Sequence, residues 1–235
     1  MCNPCPDSQT RTANVVNLAK VRTLVFDCDG VILDSNRVKT EAFRSSALPY
    51  GAAAAQALVD YHTARGGISR YEKFRHFLDE IVPSFPQGNE GPKLEAMLEA
   101  YALAVREGLM SCAIAQDLAR LRAATPGVRW LIVSGGDQAE LREIFKARAL
   151  AWMFDGGIFG SPDSKDTILE REIAAGTLSR PAVFLGDSRY DHEAARRAGL
   201  DFLFVSGWTE MPDWQSYMQD AGVSVIMRIA DLTEA

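Results

Sequence analysis

The chain has 235 residues, 47% of them hydrophobic and 24% charged, and a formal net charge of −6. That describes an ordinary globular protein with room for one large domain, or for a core carrying a smaller inserted one. The acidic balance speaks against nucleic acid, whose phosphates select basic surfaces, and no apolar run reaches membrane-spanning length; a small phosphorylated ligand in a local cationic pocket remains compatible.

The chain begins MCNPCPDSQTRTANVVN, a polar, proline-containing stretch without the apolar centre of a secretory signal. Residues 1–20 are therefore expected to be a loose leader, and the protein to be cytoplasmic. Cys2 and Cys5 form a CxxC pair, but no second pair and no paired histidines complete a four-ligand metal site. Reduced thiols are the expectation.

The run TLVFD, Thr23 to Asp27, is short and continuously apolar until its end, as suits a strand buried on both faces of a parallel sheet. It closes on Asp27 and Asp29, with Cys28 between them facing the other way. Similar runs recur at Val128–Ser134, Ala182–Gly186 and Asp201–Ser206, with a last strand expected over Val223–Ile229. Helical patterns alternate with them. Residues 137–150 open on an aspartate cap and repeat apolar positions at Leu141, Ile144 and Phe145; residues 164–175 and 188–199 read likewise, the last stopping at Gly199. This alternation predicts an α/β fold, a doubly wound parallel sheet of Rossmann-like type with right-handed crossovers. Residues 36–112 break the rhythm. They carry helical patterns over 51–64, 70–81 and 91–108 and no convincing strand, which predicts an inserted all-helical domain. The core would then comprise residues 21–35 and 113–235.

Ligands of an open α/β sheet bind beyond the carboxyl ends of its strands. There the sequence sets Asp27 and Asp29, then Ser134 with Gly135 and Gly136, then Lys165 of GSPDSK, then Asp187 and Asp191 of GDSRYD. Two carboxylates at about 4 Å repel by roughly 4 kcal/mol at an effective dielectric of about 20, so convergence calls for a cation. All-oxygen ligands point to Mg2+. A magnesium ion beside a lysine and a hydroxyl makes a phosphate site. There a carboxylate can act as nucleophile, and a second carboxylate two residues away can manage the protons.

In order and spacing, DCDGVILDS, LIVSGG, GSPDSK and GDSRYDHEAARRAG resemble the four motifs of the haloacid dehalogenase-like superfamily, across about residues 23–206. The resemblance implies Asp27 as nucleophile and metal ligand, and Asp29 as general acid and base with its carbonyl on the metal. It implies Ser134 and Lys165 as phosphate contacts, Asp187 as metal ligand, and Asp191 as support for the metal or its water shell. It also implies that the helical insertion is a cap. Within it, Gly67-Ile68-Ser69-Arg70 resembles the substrate loop of β-phosphoglucomutase-like members, whose arginine meets a substrate phosphate. Arg70 as a solvated arginine at a helix start stands beside that reading. Many members of this cap type have histidine near the position of Lys39, which here is either a second cationic substrate contact or a helix surface residue.

The activity expected from this resemblance is magnesium-dependent hydrolysis of a small phosphorylated metabolite, a sugar phosphate or organic acid phosphate, through an aspartyl-phosphate. A β-phosphoglucomutase-like mutase and a non-catalytic binding protein of the same fold are the alternatives. Asp29 speaks against dehalogenase and phosphonatase chemistry, whose members lack that second aspartate. His62, His76 and His192 have neither metal-ligand spacing nor triad company and are read as surface or core residues.

Overall fold

The computed structural model of the protein describes residues 17–85 and 90–233. Cys2 and Cys5 lie outside the described residues, as does most of the expected leader. Its last residues, Leu18–Lys20, form a short 3-10 turn capped by Asn17.

Six parallel strands form one sheet: β1 (Thr23–Phe26), β2 (Arg129–Asp137), β3 (Gly157–Ser161), β4 (Ala182–Gly186), β5 (Asp201–Val205) and β6 (Ser224–Ile226). Their order is β3-β2-β1-β4-β5-β6. The chain leaves β1 on one side to build β2 and β3, then returns to the other side for β4. A crevice opens where the order reverses, beyond the ends of β1 and β4.

Alternation along each strand supplies the two faces. Leu24, Phe26, Trp130, Ile132, Val183 and Leu185 enter one apolar cluster; Val25, Leu131, Val133 and Phe184 enter the other. Helices α5 (Leu118–Ala124) and α6 (Gln138–Ala147) contribute to the first cluster, α7 (Lys165–Ala174) and α8 (Arg189–Arg197) to the second. Helix α9 (Trp214–Asp220) precedes β6.

Three sequence boundaries move. Strand β2 continues past Ser134 to Asp137. Strand β3 has no counterpart in the sequence reading, because glycines interrupt its apolar pattern. Strand β6 covers only part of residues 223–229, and the chain then winds into a 3-10 turn over Ile229–Thr233.

The described residues of 36–112 hold four α-helices and no strand: α1 (Asn36–Ala47), α2 (Ala52–Ala64), α3 (Arg70–His76) and α4 (Leu94–Ser111). The helical pattern after Arg70 is regular only to His76 and then widens into a π-helical turn over Phe77–Ile81. Phe43 anchors the packing, with its ring 4.5 Å from Tyr101 and 5.0 Å from Phe74. The two crossings back to the sheet run side by side. Asp34 donates its N–H to Ala113 at 3.0 Å, and Ala115 donates to Ile32 at 2.9 Å.

Candidate active site

Register brings the chemistry to one edge. Phe26 lies level with Ile132 of β2 and Leu185 of β4, so the next residues of all three strands emerge together. The Asp27 N–H extends the ladder to Leu185 at 2.9 Å. Helices α6, α7 and α8 start at this edge, each with a side-chain cap: Asp137 for Glu140, Ser164 for Thr167 and Ser188 for Asp191.

Lys165, the first residue of α7, is buried between two carboxylates. Its Nζ lies 2.9 Å from Asp27 Oδ1 and also donates to Asp191 Oδ1. The Cys28 N–H donates to the same Asp27 oxygen at 2.7 Å. Asp27 Oδ2 takes no hydrogen bond, although no buried polar side-chain atom among the described residues lacks a partner; that oxygen faces the cleft. Asp191 is different. Its Oδ2 accepts from the Ser188 hydroxyl at 2.5 Å and the Ser188 N–H at 3.1 Å, so both its oxygens are engaged.

Asp187 follows β4 on the other side of the crevice. Its Oδ2 accepts from Asn36 Nδ2 at 2.7 Å, and Asn36 also donates to the Trp208 carbonyl at 2.8 Å. Asp187 Oδ1 is free of hydrogen bonds and open to the cleft. Gly30 makes this approach possible. Its φ is +74°, and a Cβ there would lie 2.0 Å from Asp187 Oδ2.

Asp29 is pinned by the first turn of α1. Ser35 Oγ donates to its Oδ1 at 2.5 Å and Lys39 Nζ to its Oδ2 at 2.5 Å. Lys39 lines the cleft, but its ammonium is committed to Asp29. Burial works against Asp29's charge; Lys39 and the two hydrogen bonds outweigh it and hold this carboxyl below its ordinary value. Cys28, between the two aspartates, sits in the apolar core.

Asp27 and Asp187 behave in the opposite way. Burial pushes Asp27 up to about 7, against the pull of Lys165, and Asp191 and Asp29 add to the push. Asp187 is raised well above the usual carboxylate range, by burial first and by Asp27 next. The ammonium of Lys165 is held by Asp191 and Asp27 above its ordinary value despite its burial.

Carboxylate oxygens of Asp27, Asp187 and Asp191 all lie within 4.8 Å of one another. Three carboxylates against one ammonium leave an excess of two negative charges. Two of the acids offer an open oxygen to the cleft. A hard divalent cation suits this set, with Asp27 and Asp187 as direct ligands and Asp191 contributing charge.

The helical segment closes the cleft from above. Gly67 reaches so far down that a Cβ on Gly135 would lie 2.1 Å from its carbonyl oxygen. Gly135 and Gly136 line the cleft. Ser134 is fully buried, and its Oγ accepts from the Gly136 N–H at 3.0 Å. Arg70 is buried rather than solvated. It forms an ion pair with Glu140 of α6 and lies over the Tyr101 ring at 4.7 Å. Tyr71 donates to Asp137 at 2.8 Å.

The structure thus gathers Asp27, Asp29, Lys165, Asp187 and Asp191 at one end of the sheet, with Lys39 and Arg70 entering from the helical segment. Sequence reading missed Ser35, Asn36, Tyr101, Glu140, His62 and Lys73. Asn36 directly follows the first motif, which is the one signal that marks it. Ser35 closes that motif, and the others carry no local pattern that separates them from helix surface or core residues.

The sequence profile of the haloacid dehalogenase-like hydrolase family matches residues 21–199. The chain belongs to this family. No curated protein matches it by sequence. Solved structures share its fold at low identity. One is a predicted phosphatase from Clostridium acetobutylicum, at 16% identity and TM-score 0.66, covering 92% of this chain and 97% of that one. Another is CbbY from Rhodobacter sphaeroides in complex with phosphate, at 19% identity and TM-score 0.65, covering 90% and 96%. A haloacid dehalogenase-type hydrolase from Entamoeba histolytica aligns at 14% identity and TM-score 0.65, covering 91% and 98%.

Proposed function

We propose that the protein is a magnesium-dependent phosphatase that hydrolyses a small phosphorylated metabolite through an aspartyl-phosphate on Asp27. One observation carries this reading. Asp27 has one oxygen fixed by Lys165 and the Cys28 amide and the other open to the cleft, next to the open oxygen of Asp187. Such a carboxylate is oriented and lacks a competing proton donor on its attacking atom.

Asp27 Oδ2 attacks the phosphorus in line, the ester P–O bond breaks, and the electron pair leaves with the alcohol oxygen. Lys165 offsets charge on the transferring oxygens, joined by the Ser134 hydroxyl and the Gly135 amide. Asp29 handles the protons: one passes to the leaving oxygen, and one is taken from the water that later attacks phosphorus and releases phosphate. Lys39 and Ser35 keep Asp29 ionised in the free site and therefore ready for the second step; in the first, the proton that Asp29 relays to the leaving oxygen is the one carried in on the phosphate monoanion. Magnesium held by Asp27, Asp187 and the Asp29 carbonyl would neutralise phosphoryl charge and relieve the repulsion between the carboxylates.

The helical segment acts as a cap. Gly67 and Ile68 line the cleft above the reacting aspartate, and closure excludes water before transfer. The cleft, partly open to solvent, holds a volume of about 70 Å³, several times the ~10–15 Å³ that admits one water, which suits a small metabolite. The protein is proposed to act in the cytoplasm on such metabolites, not on nucleic acid or membranes.

Hydrolysis of an aryl phosphate with and without magnesium tests this. Turnover that requires the metal and falls by about a thousandfold or more in Asp27→Asn is expected. Unchanged turnover in that variant would remove Asp27 from the chemistry.

A further inference from the structure

Two neighbouring residues of the helical segment reach across the cleft to a single turn of the sheet domain. Arg70, the first residue of α3, is 6% exposed; its guanidinium pairs with Glu140 and lies over the Tyr101 ring at 4.7 Å. Tyr71 follows it and donates its hydroxyl to Asp137 Oδ2 at 2.8 Å. Asp137 is the N-cap of α6 and Glu140 lies in its first turn, where the Glu140 N–H donates to Asp137 Oδ1 at 3.0 Å. That turn is held once by its own chain and twice by the helical segment.

The turn continues directly from Ser134, Gly135 and Gly136, because β2 runs through all three into Asp137. The Gly135 carbonyl accepts from Ser161 Oγ at 3.1 Å, and the Gly136 N–H donates to Ser134 Oγ at 3.0 Å. Gly67, three residues before Arg70, covers Gly135 so closely that a Cβ there would meet its carbonyl. Lifting the helical segment would uncover Gly135 and, in the same motion, take two partners from the turn that follows it. Parting Arg70 from Glu140 would also leave two poorly solvated charges, which makes the separation costly.

We propose that Arg70 and Tyr71 are positioning residues that latch the cap onto the first turn of α6, so that cap closure and placement of residues 134–136 against the phosphoryl group are one event. The reading rests on the phosphatase function proposed above. It gives Arg70 a role other than the substrate contact expected from the sequence: its charge is already met by Glu140, and the Tyr101 ring covers the guanidinium. Substrate enters when the latch opens, and the pair re-forms over the bound phosphoryl group. Tyr71 adds a neutral hydrogen bond beside the ion pair and fixes the direction of approach through Asp137.

Amide hydrogen exchange of the ligand-free protein reads the latch without turnover. Residues 134–137 should exchange about tenfold faster in Arg70→Gln and by a similar factor in Glu140→Gln, the scale of one hydrogen bond between charged groups. The double variant should exchange no faster than either single one, since all three break the same bond. Tyr71→Phe should give a rise of about threefold, and Arg70→Lys a smaller rise than Arg70→Gln. In the active protein both Gln variants should lower kcat/KM for an aryl phosphate by about tenfold; that ester carries no second anionic group for Arg70 to meet. Unchanged exchange in both Gln variants would overturn the latch. So would a raised KM in Arg70→Gln beside an unaltered KM in Glu140→Gln, the pattern of a substrate contact. The exchange result stands whether or not phosphate esters are hydrolysed, so failure of the phosphatase reading and failure of the latch are distinguishable.

Discussion

The floor and the roof of the cleft are built on different principles. The floor consists of strand ends and helix caps, and its charges are mutually engaged: Lys165 with two aspartates, Asp29 with Ser35 and Lys39, Asp191 with Ser188. The roof consists of side chains from α2, α3 and α4, among them the buried Lys73, which contacts His62 and forms no ion pair with a carboxylate of the described residues. On the phosphatase function proposed above, the difference sets the paired reacting groups of the floor apart from the roof that covers them. Reacting groups are fixed before a ligand arrives, because misplacing them by an ångström costs rate.

That contrast breaks if the floor proves loose. Lys165→Met would strand Asp27 and Asp191 without their counter-ion. Unfolding in denaturant should show a loss of about 3–5 kcal/mol, and turnover should fall by at least ~100-fold. A variant as stable as the parent would mean that the buried ion pairs do not organise the floor.

Gly30→Ala is the next largest change. The added methyl group meets Asp187 Oδ2 at a φ that only glycine adopts without strain. Turnover should drop by about 100-fold, and the rise in Tm on adding magnesium should disappear. Retention of the magnesium-induced rise would show that Asp187 is not a ligand.

Stability against pH sharpens the comparison without mutation. Asp27 is raised from an ordinary 3.8 to about 7, so between those values the folded state holds a proton that the unfolded state has released. Stability of the metal-free protein should therefore fall as pH rises through that window, by on the order of 4 kcal/mol, and level off above it. Magnesium should flatten the slope. Denaturation at a series of pH values checks both, and a metal-free slope of the opposite sign would contradict the burial argument.

The smallest expected effect is that of Lys39→Met. Without the ammonium, burial dominates Asp29 and its carboxyl moves upward. The acid limb of the rate profile should shift to higher pH by about one unit, with turnover reduced about tenfold. An unmoved limb would detach Lys39 from the proton chemistry and return it to a substrate contact.

Much of the fold was legible before any coordinates. Buried strands of a parallel sheet write themselves as continuous apolar runs, and β1, β4 and β5 stand within a residue of their expected places. The caps at Asp137, Ser164 and Ser188 follow from local chemistry. Strand β3 was not legible, because a glycine-interrupted edge strand lacks both the run and the alternation that mark a strand.

The sequence alone determined which acids and which lysine stand at strand ends and helix starts, because strand and helix boundaries are local matters and the topology of a parallel sheet carries those positions to one edge. Only the tertiary structure decided what each charge faces. Lys39 meets Asp29, ten residues away, Arg70 meets Glu140 across the cleft, and Lys73 pairs with no acid among the described residues. Partners of that kind depend on how the helical segment seats on the sheet, and packing between distant segments leaves no periodic trace in the chain.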